Sequence, residues 1–301
     1  MGNHSLKKGL LLRSGIYGFG LLATIFMASC FMTMQSAWAG NDVFEPLQKR
    51  LQSDGFDVSE ITALYNRPET QFDMRSISLF FLHSESKLNY DQFLAPESVA
   101  KAARYMQEHA DSLAKAESAL GVDKEVITAI ILVETRLGTY LGNSYVFNTL
   151  SSMAALRDPI LRQRLWDNLP KERRIDEKRF RERVAQKSQW AYTELKAFLV
   201  YASRHGIDPT RIRGSYAGAM GISQFMPSNI LAYARDGDQD GRIDLFEHPD
   251  AIMSIASYLK HFGWRQGIDR SRAEAVIYRY NHSKYYVQAI LGVADRLKES
   301  G

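Results

Sequence analysis

The sequence has almost no cysteine. Cys30 is the only one among 301 residues. That excludes a disulfide framework and any thiolate metal site. A chain this long buries enough apolar surface to fold without them. A surplus of one charge sign is also missing. The formal net charge is +4, and Lys7, Lys8 and Arg13 supply three of those charges in an N-terminal stretch without Asp or Glu. Residues 40–301 are left with 35 Lys and Arg against 34 Asp and Glu, too even a balance for a nucleic-acid binder. His205, His248, His261 and His282 do not fall at zinc-ligand spacing. They are expected at the surface or behind a site. With 45% hydrophobic and 24% charged residues, disorder of the whole chain is excluded too.

Residues 1–39 read as an export signal. A basic start precedes an almost wholly apolar run over 15–34, and Ala37-Trp38-Ala39 matches a small-x-small cleavage site before Gly40. The run approaches spanning length, but the cleavage site argues against a permanent anchor. Met27-Ala28-Ser29-Cys30 resembles a lipoprotein cleavage box. Cleavage there would leave Cys30 carrying several acyl chains, enough for stable attachment to an outer membrane. Release near Ala39 leads, with the lipid anchor at Cys30 as the alternative. Both place the protein outside the cytoplasmic membrane, in the periplasm of a two-membrane cell.

Downstream the pattern is helical. Short helices are expected over about 43–54 and 57–66, stopped by Gly55 and Pro68. Residues 70–96 are mixed. A single long helix is expected over 97–120, then a second over 124–137 with Asp123 as its cap and Gly138 left-handed after its last turn. Residues 156–169 are expected as a short helix. Residues 170–187 are densely charged and are expected to be solvated, docked by Phe180 and Val184. A helix should follow over 190–205, with four more after it, over 228–234, 250–262, about 271–278 and a last one through Lys298.

Four stretches carry chemistry. In Ile130-Ile131-Leu132-Val133-Glu134 an ionisable group follows four branched apolar ones. Glu134 should therefore lie at the border of a buried face, where desolvation favours the protonated acid and suits it to donate a proton. Residues 214–228, with Gly214, Gly218 and Gly221, are glycine-punctuated yet apolar. They are either a tight buried connection or the floor of a sugar groove. In the second case Ser215 and Gln224 hydrogen-bond the ligand, and Tyr216 and Phe225 form apolar walls. Residues 236–247 fit a twelve-residue calcium loop. Asp236, Asp238 and Asp240 stand at positions 1, 3 and 5, Gly241 at the turn, the Arg242 carbonyl at 7, Asp244 at 9 and Glu247 at 12. Only one such loop is present, so a structural ion is expected rather than a sensor pair. The fourth stretch, Tyr280-Asn281-His282-Ser283-Lys284-Tyr285-Tyr286, interleaves aromatics with short polar residues, and Tyr258 lies on the helix before it.

These stretches resemble the membrane-bound-type lytic murein transglycosylase B family, lysozyme-like enzymes that cleave peptidoglycan. The resemblance spans about residues 97–298. It implies a mainly α fold with a lysozyme-like, goose-type-like catalytic core at 97–301, flanked by an N-terminal helical region at 40–96, and one EF-hand-like calcium loop. It implies that Glu134 is the catalytic acid, that Ser215 and Gln224 face the glycan strand, and that Tyr258, Tyr280 and Tyr286 line the cleft. The single Ca2+ would be structural. Cleavage of the MurNAc-β-1,4-GlcNAc bond would leave 1,6-anhydromuramoyl ends, with one glutamate where most glycosidases use two carboxylates. The partner would be peptidoglycan glycan strands, met by a monomer. A hydrolytic muramidase and a non-catalytic, calcium-stabilised wall-binding protein are the alternatives.

Overall fold

The structure is a computed structural model that describes residues 41–83 and 89–300. The export signal and Cys30 lie outside the described residues. Helices α1 (Glu45–Ser53), α2 (Val58–Tyr65) and α3 (Met74–Leu82) come first, then α4 (Pro96–Glu108), α5 (Ala110–Leu120) and α6 (Lys124–Thr135). Strand β1 (Ser144–Tyr145) leads into α7 (Val146–Ala155), α8 (Pro159–Asn168) and α9 (Glu177–Arg204). Strand β2 (Arg213–Gly214) precedes α10 (Pro227–Tyr233), α11 (His248–His261), α12 (Arg270–Tyr280) and α13 (Lys284–Ser300). The mainly α class is as expected. Among the described residues no helix is long and apolar enough to cross a membrane.

The centre is α7, all ten of whose residues are buried, packed along α9. A helix buried on every side needs partners for its polar groups. They come from the N-terminal helices. Tyr65 Oη and Ser151 Oγ lie 2.8 Å apart, Asp73 N donates to Ser152 Oγ at 2.8 Å, and Asn148 Nδ2 donates to the Glu69 carbonyl at 2.8 Å. The rings of Phe44, Tyr65 and Phe147 pack in a row beside them. The first 40 described residues are thus fixed onto α7 by buried hydrogen bonds as well as by apolar area.

Two helix expectations need correction. The helix expected over 97–120 is broken at His109, whose backbone leaves the helical region at φ −114°, ψ 26°. His109 instead stacks on His248 with ring centroids 4.2 Å apart. The break lets α4 pack on α6 while α5 packs on α11. The charged stretch over 170–187 is docked by Phe180 and Val184 as expected, but the helix expected only from 190 reaches back into it. From Glu177 the stretch is the first half of the 28-residue α9. Asp176 caps that helix through Arg179 N, and Glu177 pairs with Arg181 one turn on. Phe180, Val184, Ser188 and Ala191 form its buried stripe. Charge density concealed an amphipathic helix whose apolar positions were thinly spaced.

β1 and β2 pair antiparallel, with Ser144 opposite Gly214 and Tyr145 opposite Arg213. Gly214 also bridges to Met220, and Met220 to Phe225. A Cβ on Gly214 would stand 2.1 Å from the Ala219 carbonyl oxygen, so only glycine fits where these backbones meet. This folds residues 214–225 into a compact non-helical unit beside the end of α6.

Replacing Tyr65 by Phe strands the buried Ser151 hydroxyl. The variant is expected to lose about 1–2 kcal/mol of stability, measured by denaturant titration, without loss of helical circular dichroism.

Candidate active site and acidic loop

Helix α6 buries seven consecutive residues, Val126, Ile127, Thr128, Ala129, Ile130, Ile131 and Leu132. Glu134 follows them and is half-buried, at the border the sequence predicts. Asp123 sits at the cap position but makes no cap hydrogen bond. Its carboxylate accepts from Trp264 Nε1 and from Lys298 Nζ, both at 2.9 Å, tying the start of α6 to α13. The helix ends two residues sooner than expected. Arg136, Leu137 and Gly138 take φ of 50°, 62° and 83°, three left-handed residues in succession where one glycine was foreseen. Two of them are not glycine and cost about 1–3 kcal/mol each. Hydrogen bonds hold the turn: Leu137 N to Ile131 O (3.1 Å), Tyr140 N to Thr135 O (2.9 Å) and Gly138 N to Thr135 Oγ1 (3.0 Å). Thr135 Oγ1 also donates to Ile222 O at 3.2 Å, so residues 214–225 abut the end of this helix.

Tyr286, on α13 and 1% exposed, donates its hydroxyl to Glu134 Oε1 at 2.7 Å. Tyr280 lies parallel to it, centroids 6.3 Å apart, and donates to the Ser223 carbonyl. Burial first, and the Glu134 charge second, push both phenols well above their ordinary range, so each stays a donor. Tyr90 meets the Tyr286 ring edge-on at 6.3 Å. The sequence reading passed over Tyr90, since nothing local marks it; only the return of its segment to α13 brings it here.

Gln224 is itself left-handed, at φ 47°. Its amide nitrogen donates to Gly221 O at 2.9 Å and to Leu141 O at 3.3 Å. Ser215 Oγ accepts from Ala217 N and Ala219 N at 3.2 and 3.1 Å, shaping the turn. Tyr216 is half-buried and contacts the His83 ring. Phe225 and Tyr258 are placed differently from exposed walls. They are 1% and 5% exposed, pack on each other and on Tyr280, and stand behind the groove surface. Glu194, 5% exposed, accepts from Ser228 N (2.9 Å) and Ser228 Oγ (2.8 Å) and so anchors the far end of this segment. Desolvation raises its pKa.

In the acidic loop the carboxylates do not all converge. Asp236, Asp238 and Asp250 offer oxygens within 4.8 Å of one another. Asp240 and Asp244 turn to their own loop backbone, accepting from Arg242 N (2.7 Å) and Phe246 N (2.8 Å). Glu247 is outside the cluster, at the cap position of α11. Repulsion from Asp244 and its neighbours raises its pKa. Asp250, and not Glu247, lies with Asp236 and Asp238. It is 3% exposed and holds the loop by accepting from Gly237 N (2.7 Å) and Asp244 N (2.6 Å). Burial raises its pKa against those two bonds. It lies beyond the twelve-residue pattern, which is why that pattern missed it. From the loop, Leu245 O accepts from Ile222 N at 2.7 Å, reaching the residue that Thr135 also touches.

A family model described as the transglycosylase SLT domain matches residues 39–273. The chain belongs to that family. The resemblance to the lytic murein transglycosylase B group is borne out by a curated relative, membrane-bound lytic murein transglycosylase B of Escherichia coli (strain K12), 32% identical over 176 residues. That alignment covers 58% of this chain and 41% of the relative, so it reaches about two fifths of the relative's length. Among solved structures, the soluble lytic transglycosylase SltB1 from Pseudomonas aeruginosa superposes with a TM-score of 0.69 at 24% identity, covering 86% of this chain and 98% of that one. Escherichia coli Slt35 in complex with calcium gives 0.69 at 22%, covering 88% and 95%. These structures share the SLT-domain fold, and the lysozyme-like architecture is as expected.

A Cβ on Gly138 would meet His248 Cε1 at 2.8 Å, besides straining its positive φ. Gly138→Ala is expected to lose at least about 1 kcal/mol of stability, read as a lowered melting temperature. Gly138→Asn, which tolerates left-handed backbone better, should be hurt less by strain but no less by the contact.

Proposed function

We propose that this protein is a lytic transglycosylase that cleaves the MurNAc-β-1,4-GlcNAc bond of peptidoglycan with Glu134 as its one acid and base. The observation that carries the reading is a half-buried glutamate at the end of an apolar helix, oriented by a buried phenol beside the glycine-rich floor. With Oε1 accepting from Tyr286, the proton sits on the other oxygen of the carboxylic acid. Glu134 gives it to the glycosidic oxygen as the C1–O bond breaks and positive charge develops at C1. The carboxylate then removes the proton of the muramoyl C6 hydroxyl, whose oxygen closes onto C1. Glu134 is regenerated, no water is consumed, and the product is a 1,6-anhydro end. The nucleophile is already part of the substrate, which gives it a high effective concentration. Among the described residues the only fully buried acids are Glu194 and Asp250. Both are committed to backbone groups elsewhere, in keeping with chemistry that uses one carboxyl.

Ser215, Tyr216 and Gln224 are the residues assigned to substrate contact, with the Gln224 carbonyl oxygen as an acceptor. Phe225, Tyr258, Tyr280 and Tyr286 are assigned to backing that surface and holding the acid. The enzyme works in the periplasm as a monomer, soluble after release near Ala39, with residues 40–96 buttressing the catalytic region at 97–301.

Glu134→Gln is expected to cut the release of muropeptides from purified sacculi by about 10²–10⁴-fold, the range of a lost general acid–base. Wild-type products should be one water lighter by mass spectrometry than those of hydrolysis. Hydrated ends would make the protein a muramidase, and full lysis by the glutamine variant would remove Glu134 from the chemistry.

Asp236, Asp238 and Asp250 form a donor set of hard oxygens suited to Ca2+. The negative charge crowded among these three carboxylates is what such an ion would relieve. In this reading Asp240 swings from Arg242 N to the ion and, with the Arg242 carbonyl, completes the set. Bound there, the ion supplies charge neutralisation and no step of the sugar chemistry. Excess calcium is expected to stabilise the wild type by about 2–3 kcal/mol in thermal melts, reversed by a chelator. Asp250→Asn should abolish that response; an unchanged response would remove Asp250 from the set.

A further inference from the structure

The positive charge of this protein is concentrated in one place. Residues 157–187 hold eleven Lys and Arg against six Asp and Glu, while the rest of residues 40–301 hold 24 against 28. Part of this basic stretch converges on the C-terminal end of α3. Arg173 Nη2 donates to the Leu82 carbonyl at 2.8 Å, and Arg183 Nη1 donates to the Phe81 carbonyl at 3.4 Å. Lys187 Nζ lies 5.3 Å from the ring centroids of both Phe80 and Trp190. Cations at a helix C-terminus are stabilising in themselves, but three exceed what one nine-residue helix needs. Among the described residues no carboxylate forms an ion pair with any of them. Burial first, and then the Arg183 charge, lower the pKa of Lys187. Each guanidinium has five N–H donors, and each has spent one on backbone.

This cluster adjoins the substrate groove. His83, the next residue after Leu82, contacts Tyr216 with ring centroids 5.6 Å apart, and Tyr216 belongs to the groove floor. We propose that Arg173, Arg183 and Lys187 form an anion-binding rim at the Tyr216 end of the groove that receives a carboxylate of the peptide attached to the glycan strand. The inference rests on the glycan-strand reading above. The glycan itself is uncharged apart from what its lactyl groups carry, and peptide stems end in free carboxylates. A planar fork of donors fits a carboxylate bidentately. The rim therefore makes the enzyme prefer strands that still bear their peptides.

The test compares solubilised strands with peptides attached and the same strands after enzymatic removal of the peptides. In R173Q/R183Q, KM for peptide-bearing strands should rise about tenfold, the loss of one charge-assisted hydrogen bond. kcat should hold, and neither constant should change on stripped strands. A merely structural role would move both substrates together, and that result, or no change on either, overturns the proposal. Should the double variant not fold, Lys187→Met keeps the stem over its rings while removing the charge, and is expected to shift KM in the same peptide-dependent way. Added salt should raise the wild-type KM more on peptide-bearing strands than on stripped ones, whose freed lactyl carboxylates keep a response of their own; equal salt response on both overturns it too. Absence of anhydro products from both strands would sink the glycan-strand reading itself, whereas turnover of both without peptide dependence sinks only the rim.

Discussion

The hydrogen bond from Tyr286 to Glu134 is the constraint on which the site depends, and it belongs to a larger device. Helix α6 is fastened to α13 at both ends: Asp123 to Lys298 at 2.9 Å and Glu134 to Tyr286 at 2.7 Å. The intervals are eleven residues on one helix and twelve on the other, so two antiparallel helices of equal rise are locked in register. The apolar run of α6 fills the space between the fasteners. The Glu134 carboxyl is thereby placed by two whole helices.

The floor and the acidic loop join this frame through one backbone residue. Ile222 presents its carbonyl to Thr135 and its N–H to Leu245. The end of α6, the turn that carries Gln224 and the exit of the acidic loop are consecutive links. Two hydrogen bonds thus separate the exit of the acidic loop from the end of the helix that carries Glu134.

Much of this was legible in the sequence because it follows from local pattern. The apolar run before Glu134 fixes both a helix and the border position of the carboxyl, and the glycines of 214–228 announce close backbone contact. What was illegible is non-local. Asp250 joins Asp236 and Asp238 only because α11 folds back over the loop, so a twelve-residue pattern nominates Glu247 instead. Tyr90 reaches Tyr286 from a segment with no periodic signal. His109 breaks a helix of high propensity for the sake of stacking on His248, a tertiary contact overriding local preference. Phe225 reads as a groove wall and Tyr258 as a cleft-lining residue, since aromatic type says nothing of which side of a wall a ring occupies. In α9 Phe180 and Val184 are legible as docking residues, but the dense charges around them hide the helical period and the element reads short.

The left-handed run Arg136, Leu137 and Gly138 has a consequence for how such a protein fails. Its backbone sits uphill, restrained by Thr135, Ile222 and the packing of His248 rather than by its own preferences. Removing a restraint lets the turn relax downhill while the helices on either side stay packed. Function should then disappear ahead of melting: a population that looks native by helix content yet no longer aims its acid. Under the proposed function, that order of events makes inactivity the first response to damage.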